Sequence, residues 1–278
     1  MKIITTDEQL RTFVPNVFAS VGGEPTFYQK LEPFLLSAET WTAQQLTGSA
    51  ALDEIAQMQP ERIELHLLSV IIVSEAFRQA VPSLDLVLTP NGFGIVSNTN
   101  VVPASKERIV RLVDTLESTR DDAISSVLPY LDKLDSWANT EQQERFKSTL
   151  FPLPSMIVKL GYTTKIWHSY LSVLNQLSVV ETEIAEQWLS PEYMQLLRSY
   201  GLNESAAPAP DRRILDGVRR AVLSAVKNSR LPVPLLDSLV NYIIGHPEEY
   251  QVWHDSDTAK LFNPPVFVNK KESHGYFW

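Results

Sequence analysis

A mainly α-helical fold made of two related multi-helix halves is predicted for this chain of 278 residues. Apolar residues recur at intervals of three and four along most of the sequence, which is typical of amphipathic helices. The periodic segments begin or end at serine, threonine, glycine or proline, the residue types that start and stop helices. A hydrophobic content of 44% suffices for a substantial core, and the length fits one large domain or two of ordinary size.

Four helices are predicted in the first half from their apolar spacing. Thr6 begins a short helix that ends at Gly22-Gly23, and a second helix runs from about 25 to 46. The third, from about 60 to 81, is apolar on two sides and should therefore be central to the core. Ser105 is expected to cap the longest helix, which keeps helical spacing for about 30 residues.

A β-hairpin at about 84–97 is predicted between the third and fourth helices. Leu84 to Thr89 and Phe93 to Ser97 are strand-like runs separated by Pro90-Asn91-Gly92. Because Pro90 makes a two-residue Asn-Gly turn less attractive, we expect a three-residue loop with Gly92 in the left-handed bulge position. This loop pairs Thr89 with Phe93.

The predicted register leaves neither face of the hairpin polar. Val87 and Ile95 fall on one face, and Leu86, Leu88 and Val96 on the other. Such a hairpin requires cover from its own helices or from a neighbouring subunit, and both alternatives remain open. The candidate interaction residues are Leu86, Leu88, Phe93, Ile95 and Val96.

The segment 139–163 is predicted to join an N-terminal helical half, residues 1–138, to a C-terminal helical half, residues 164–278. A helix from about 164 to 200 is expected to break near Ser190-Pro191. The further predicted elements of this half are helices at about 211–227 and 234–244 and an extended, proline-rich tail at 263–278.

A short sequence echo supports a relation between the halves. Ala38-Glu39-Thr40-Trp41 and Ala185-Glu186-Gln187-Trp188 share an Ala-Glu-x-Trp pattern near the end of a long helix. Alanine and tryptophan are ordinary choices for the buried face of a helix. The echo therefore fits either a divergent duplication or coincidence.

The sequence contains no legible catalytic, cofactor or metal motif. The five histidines form no His-Glu-x-x-His pair. The cluster of His246, Glu248, Glu249, His254 and Asp255 is better explained as a helix start flanked by surface histidines than as a metal site. His66 is expected to be a hydrogen-bonded core residue. Without cysteine or a Gly-x-Ser-x-Gly elbow, nucleophilic catalysis has no support, although dispersed carboxylates could still meet in three dimensions.

The charge of the chain argues against several partners. Its formal net charge of −9 disfavours nucleic acid and anionic membrane surfaces. The basic cluster Arg212-Arg213 and Arg219-Arg220 is interpreted as a solvated helix face rather than an anion site. No secretion signal or membrane-spanning run is recognised, so the expected location is the cytoplasm or a virion.

The segments 74–98 and 103–108 resemble an uncharacterised protein family of gut Bacteroides-type bacteria, often encoded in prophage-like gene clusters. The resemblance seen in Ser74-Glu75-Ala76-Phe77-Arg78 and the hairpin that follows extends over most of the chain. It implies a role in virion assembly akin to the helical head-tail connector or head-completion proteins, and it implies no catalytic residue.

The first functional hypothesis is therefore a non-enzymatic, phage-derived assembly protein that needs no cofactor. Its expected partners are other protein subunits, either copies of itself or phage structural proteins. The alternative is a cytoplasmic helical binding module for a peptide or small ligand, which a deep apolar pocket with converging polar groups would favour. A hydrolase with dispersed carboxylates is the third hypothesis, for which two pocket carboxylates of strongly shifted pKa would be the first sign.

Overall fold

The computed structural model describes residues 3–14, 26–84, 86–89, 92–95 and 105–262. These residues form a mainly α-helical fold, as the sequence predicts. The predicted tail at 263–278, the Gly22-Gly23 helix end and Val96 lie outside them. No described helix combines the length and the apolar character needed to cross a bilayer.

The chain divides into two compact units. Unit 1 comprises Met1–Asn175 and Gly201–Asn203, and unit 2 comprises Gln176–Tyr200 and Glu204–Trp278. The main boundary therefore lies later than the predicted junction at 139–163. That segment contains ordered helical turns of unit 1, because its apolar residues Phe146 and Ile157 are buried in the core.

Unit 1 is built from helices joined by short turns and one pair of strands. Its elements in chain order are α1 (Asp7–Phe13), α2 (Phe27–Thr42), α3 (Gly48–Ala56), α4 (Ile63–Leu84), β1 (Leu86–Thr89), β2 (Gly92–Ile95), α5 (Lys106–Leu131) and α6 (Glu141–Lys147). Helix α7 (Ile166–Ile184) contains the boundary between the units. The elements of unit 2 that follow are α8 (Pro191–Ser199), α9 (Ala209–Asn228), α10 (Val233–Ile244), α11 (Gln251–His254) and α12 (Asp257–Phe262).

Side-chain caps explain where several helices of unit 1 begin. The Thr6 hydroxyl accepts a hydrogen bond from the backbone N–H of Gln9, as predicted. Thr26 and Gln29 form a reciprocal capping box at the start of α2. Ser105 precedes α5 as expected, but its side chain makes no capping hydrogen bond.

Helix α4 is central to the core of unit 1, as its two apolar sides predict. Leu68, Ile71, Ile72 and Ala76 are fully buried, and the helix packs against both α2 and α5. Helix α4 continues through Pro82 to Leu84, beyond the predicted end.

The register of the strands differs from the predicted one. Thr89 pairs with Gly92 rather than with Phe93, so two residues rather than three separate the strands. Glycine adds no side chain to a strand, so Gly92 is accommodated in the ladder instead of forming a bulge.

The corrected register places the apolar residues on one side of the two-stranded ladder. Leu86 pairs with Ile95 and Leu88 with Phe93, and residues that pair directly share a face. The other face has Val87 and Thr89 of β1 and Gly92 and Gly94 of β2. The predicted placement of Ile95 on the same face as Val87 is therefore wrong.

Each unit contains the same unusual break in a long helix. Helix α2 widens into a π-helical segment at Ala43–Thr47, and α7 does so at Ala185–Leu189. The next residue has a positive φ of 70° in both places, Gly48 and Ser190, and a helix of nine residues follows. The predicted break near Ser190-Pro191 is thus confirmed.

A buried indole completes each break. Trp137 Nε1 donates to the Leu46 carbonyl at 2.8 Å, and Trp253 Nε1 donates to the Trp188 carbonyl at 2.8 Å. Both accepting carbonyls belong to the π-helical segment and lie two residues before the positive-φ residue. Both donating tryptophans are fully buried.

The surroundings of the two donating tryptophans also correspond. Three residues after each, a hydroxyl donates to the tryptophan carbonyl and accepts from a backbone N–H of the next helix: Thr140 in unit 1 and Ser256 in unit 2. Nine residues after each, a phenylalanine ring packs on the indole, with ring centroids 6.3 Å and 6.0 Å apart.

The predicted Ala-Glu-x-Trp echo does not match these equivalent positions. Trp41 lies in α2, before the π-helical segment, whereas Trp188 lies within one. When the positive-φ residues are aligned, Leu46 corresponds to Trp188, and the two buried glutamates Glu39 and Glu181 correspond as well. The shared Ala-Glu-x-Trp pattern therefore falls at positions that are not structurally equivalent, and the echo is a coincidence.

Replacing Trp137 or Trp253 with phenylalanine removes the indole N–H and leaves a buried carbonyl without its partner. We expect each substitution to lower the free energy of unfolding by about 1–3 kcal/mol in urea denaturation. Trp188→Phe is the matched control, since its indole bonds the Asp237 side chain, which water can reach. Equal losses in all three variants would contradict the special role of the two buried indoles.

Candidate functional site

Unit 1 contains a buried cluster of charged side chains where α4 packs against α5. Glu75 on α4 and Arg120 and Asp121 on α5 are each 4% exposed or less. Arg120 Nη1 lies 2.5 Å from Glu75 Oε2, while its Nε and Nη2 lie 3.0 Å and 2.7 Å from Asp121 Oδ1. A single guanidinium therefore bridges two buried carboxylates.

Glu75 has further hydrogen-bond donors. Arg78 reaches its carboxylate with Nη2 at 2.7 Å and Nε at 2.9 Å, and Gln79 donates at 2.8 Å. Burial raises the pKa of Glu75, but the hydrogen bonds from Arg78 and Gln79 and the charge of Arg120 outweigh it and hold that pKa below its ordinary value. The hydrogen bond with Glu75 in turn raises the pKa of Arg78. An ionised carboxylate with this many donors is poorly suited to act as a general base.

Asp121 connects the cluster to the start of α7. Its Oδ2 accepts a hydrogen bond from the backbone N–H of Trp167, the second residue of that helix, at 2.9 Å. A carboxylate at this position satisfies a free N–H group and interacts favourably with the helix dipole. Asp121 from α5 thus takes the capping role that serine or threonine usually has.

A cavity of about 350 Å³ lies beside the charged cluster. Trp41 and Trp167 meet edge to face on its wall at 5.9 Å, and the Arg120 guanidinium lies 5.4 Å from the Trp41 ring. The remaining wall includes the exposed residues Lys165 and His168. Because Arg120 is already neutralised within the protein, the cavity does not indicate a particular ligand.

Unit 2 has a smaller polar cluster at the start of α9. Asp211, 7% exposed, accepts hydrogen bonds from the Tyr193 hydroxyl at 2.8 Å and the Tyr200 hydroxyl at 3.3 Å. Burial, followed by the charge of Asp211, raises the pKa of Tyr193. Burial likewise raises the pKa of Tyr250, whose hydroxyl donates to the Pro210 carbonyl. These phenols remain protonated and fix the first turn of α9.

The histidines singled out from the sequence are engaged in backbone contacts. His246 Nδ1 lies 2.8 Å from the Tyr242 carbonyl, and His254 Nε2 lies 3.1 Å from the Ile243 carbonyl. In the part of the chain that the structure describes, no three metal-ligating side chains converge.

Two expectations for polar residues are corrected. His66 is exposed rather than buried, because it lies on the side of α4 that faces solvent, where its ring contacts Phe13 at 5.6 Å. Arg219 is not part of the solvated face of α9: it is 8% exposed and pairs with Glu204 at 2.5 Å. Arg212, Arg213 and Arg220 are exposed, as expected.

The predicted interaction residues of the hairpin are placed by backbone alone. Leu86 and Leu88 lie in β1, and Phe93 and Ile95 lie opposite them in β2. Val96 lies outside the described residues. The register brings these four residues onto one side of the ladder, whereas the predicted pairing divided them between two faces.

No sequence motif indicates the charged cluster. Glu75 and Arg120 are 45 residues apart, and each carboxylate is partnered by residues on more than one helix. The sequence contains one sign of the cluster. Glu75 and Arg120 fall on the apolar stripes of their helices, where a charged side chain requires a buried partner of opposite charge.

Replacing Arg120 with methionine leaves Glu75 and Asp121 buried without their shared cation. We expect a loss of about 3–5 kcal/mol in the free energy of unfolding, measured by urea denaturation. Arg111→Met, at an exposed position of the same helix, is the control and should change stability by less than about 0.5 kcal/mol. Similar losses for the two variants would show that the buried network contributes nothing.

The lowered pKa of Glu75 predicts a pH dependence of stability. Because the folded-state pKa lies below the ordinary value of 4.5, the stabilisation by Glu75 is present above that pH and is lost as the pH falls through the folded-state pKa. Glu75→Gln removes this contribution. The difference in unfolding free energy between the wild type and Glu75→Gln should therefore shrink below pH 4.5. A difference that is constant from neutral to acid pH would contradict the assignment.

A protein-family model matches part of the chain. The model of the family described as "Family of unknown function (DUF6712)" matches residues 18–147, slightly less than half of the chain. The matched segment ends at Lys147, the last residue of α6. No curated protein and no solved structure matches the chain.

Proposed function

We propose that this chain is a non-enzymatic assembly protein of the head-tail connector kind, made of two copies of one helical domain and acting through protein-protein contacts. Its partners would be other protein subunits in the cytoplasm or in a virion. The proposal is supported by the repeated architecture, by a segment that only one copy has, and by the resemblance of residues 74–108 to prophage-associated proteins.

The correspondence between the units supports a duplication. Both have the π-helical break, the positive-φ residue and the buried indole donor in the same order. Counting back from the donating tryptophan, each of the four buried residues of α10 falls at the same interval as a buried residue of α5. The α5 residues are Arg120, Ala123, Ile124 and Val127 before Trp137, and the α10 residues are Leu236, Leu239, Val240 and Ile243 before Trp253. Helix α5 also buries Asp121 and Ser125, whose counterparts in α10 are exposed.

This alignment identifies a segment that unit 2 lacks. The first residue of α10, Val233, corresponds to Glu117 of α5, and only 229–232 separate α9 from α10. In unit 1 the equivalent connection is 85–116, which we call the arm. The arm comprises the strand pair and the first eleven residues of α5, a helical extension of about 16 Å.

The arm is the observation on which the functional proposal rests. Unit 2 connects the corresponding helices without it, so the helical domain does not need it to fold. None of residues 105–119 is buried, although they include apolar side chains such as Val110 and Leu112, which are 48% and 39% exposed. Exposed apolar surface that the fold does not require favours a contact with another protein.

An exchange of connections tests the proposal. In the arm-exchange variant, 85–116 are replaced by Ser-Arg-Leu-Pro, the sequence of 229–232. We expect tagged wild-type protein purified from its native host to bring down portal, capsid or tail proteins, identified by mass spectrometry, and the variant to lose them. Circular dichroism should show that the variant keeps its helical content.

The genes that flank the coding sequence give an independent readout. Neighbouring portal, capsid and tail genes are expected. A locus without such genes, together with no co-purifying structural protein, would reject the assembly function.

A further inference from the structure

We infer that the arm docks onto a second copy of this chain, which makes the protein self-associating. This inference rests on the proposed function and deepens it, because it names the partner and the contact surface. It is carried by the described part of the arm: the paired strands β1 and β2 and the first eleven residues of α5.

The first reason is that the strand pair is incomplete as a structural unit. Each strand has four residues, and in the described residues β1 and β2 pair only with each other. A two-stranded hairpin is marginally stable by itself and requires a further strand or a packed face. Both outer edges therefore offer N–H and C=O groups to an added chain.

The second reason is that the arm carries exposed apolar side chains. Val110 and Leu112, in the first turns of α5, are 48% and 39% exposed. The register places Leu86, Leu88, Phe93 and Ile95 on the same side of the ladder. Exposed apolar residues on a segment that unit 2 lacks favour a protein contact.

Charge selects the partner. The whole chain has a net charge of −9, and two copies should therefore repel each other over most of their surfaces. The first six residues of α5 are the opposite: they contain the exposed cations Lys106, Arg108 and Arg111 and a single carboxylate, Glu107. This locally basic stretch is complementary to the net negative charge of another copy, so the start of α5 is where attraction between two copies is expected.

The test is the mass of the purified full-length protein in solution. Sedimentation and light scattering should give a multiple of the 31.4 kDa chain for the wild type, with weaker association at high salt because the charges are screened. The double variant Val110→Asp/Leu112→Asp should weaken self-association at least about tenfold, and the arm-exchange variant should be monomeric.

Val179→Asp is the matched control. Val179 is a 59% exposed valine on α7, outside the arm, and its substitution should leave the mass unchanged. If the arm-exchange variant fails to fold, the double point variant still decides the question, since both of its positions are exposed.

Three results would overturn the inference: a wild type that is monomeric at the highest attainable concentration, arm variants with the wild-type mass, or equal dissociation by Val179→Asp. A monomeric wild type that still binds a phage structural protein through its arm would overturn self-docking alone and leave the assembly function standing. A self-associating protein with no structural partner and no phage genes nearby would overturn the assembly function and leave self-docking standing.

Discussion

Both helical units depend on a hydrogen bond from a buried indole N–H to a carbonyl of a π-helical segment. At the end of α2 and again late in α7 the helix widens, and a residue with φ of 70° redirects the chain into a short helix. The carbonyl of Leu46 or Trp188 would be costly to bury without a donor. The donors come from residues 91 and 65 positions away, so each break gains its donor only when a part of its unit that is distant in sequence has packed.

The central helix pair is packed with different residue types in the two units. Unit 1 has Arg120 where the alignment gives unit 2 Leu236, and both are buried. A buried ion pair is not in general more stabilising than an apolar pair. Arg120 has a further role, however, because it holds Asp121 beside the first turn of α7, where that carboxylate caps the helix. The charges of this cluster therefore help to fix the position of a helix.

Unit 1 has a strand pair and a helical extension of α5 where unit 2 has four residues between the corresponding helices. Under the proposed duplication, the arm is an addition to a helix pair that unit 2 forms without it. The described side chains at the start of α5 include exposed apolar residues and cations. The net charge of −9 on the whole chain disfavours unspecific association.

Local sequence determined most of the helices. Spacing of apolar residues and capping residues such as Thr6 suffice for this, because helix formation and amphipathicity are properties of neighbouring residues. The break at Ser190 could also be predicted from the sequence, since a proline follows it. The strand register could not be predicted, because local sequence allows Thr89 to pair with either Gly92 or Phe93. Only the tertiary structure decided which charges lie together and which residues of the two units correspond. The Glu75–Arg120 pair and the two indole bonds join residues at least 45 positions apart, and such contacts leave no periodic trace in the sequence.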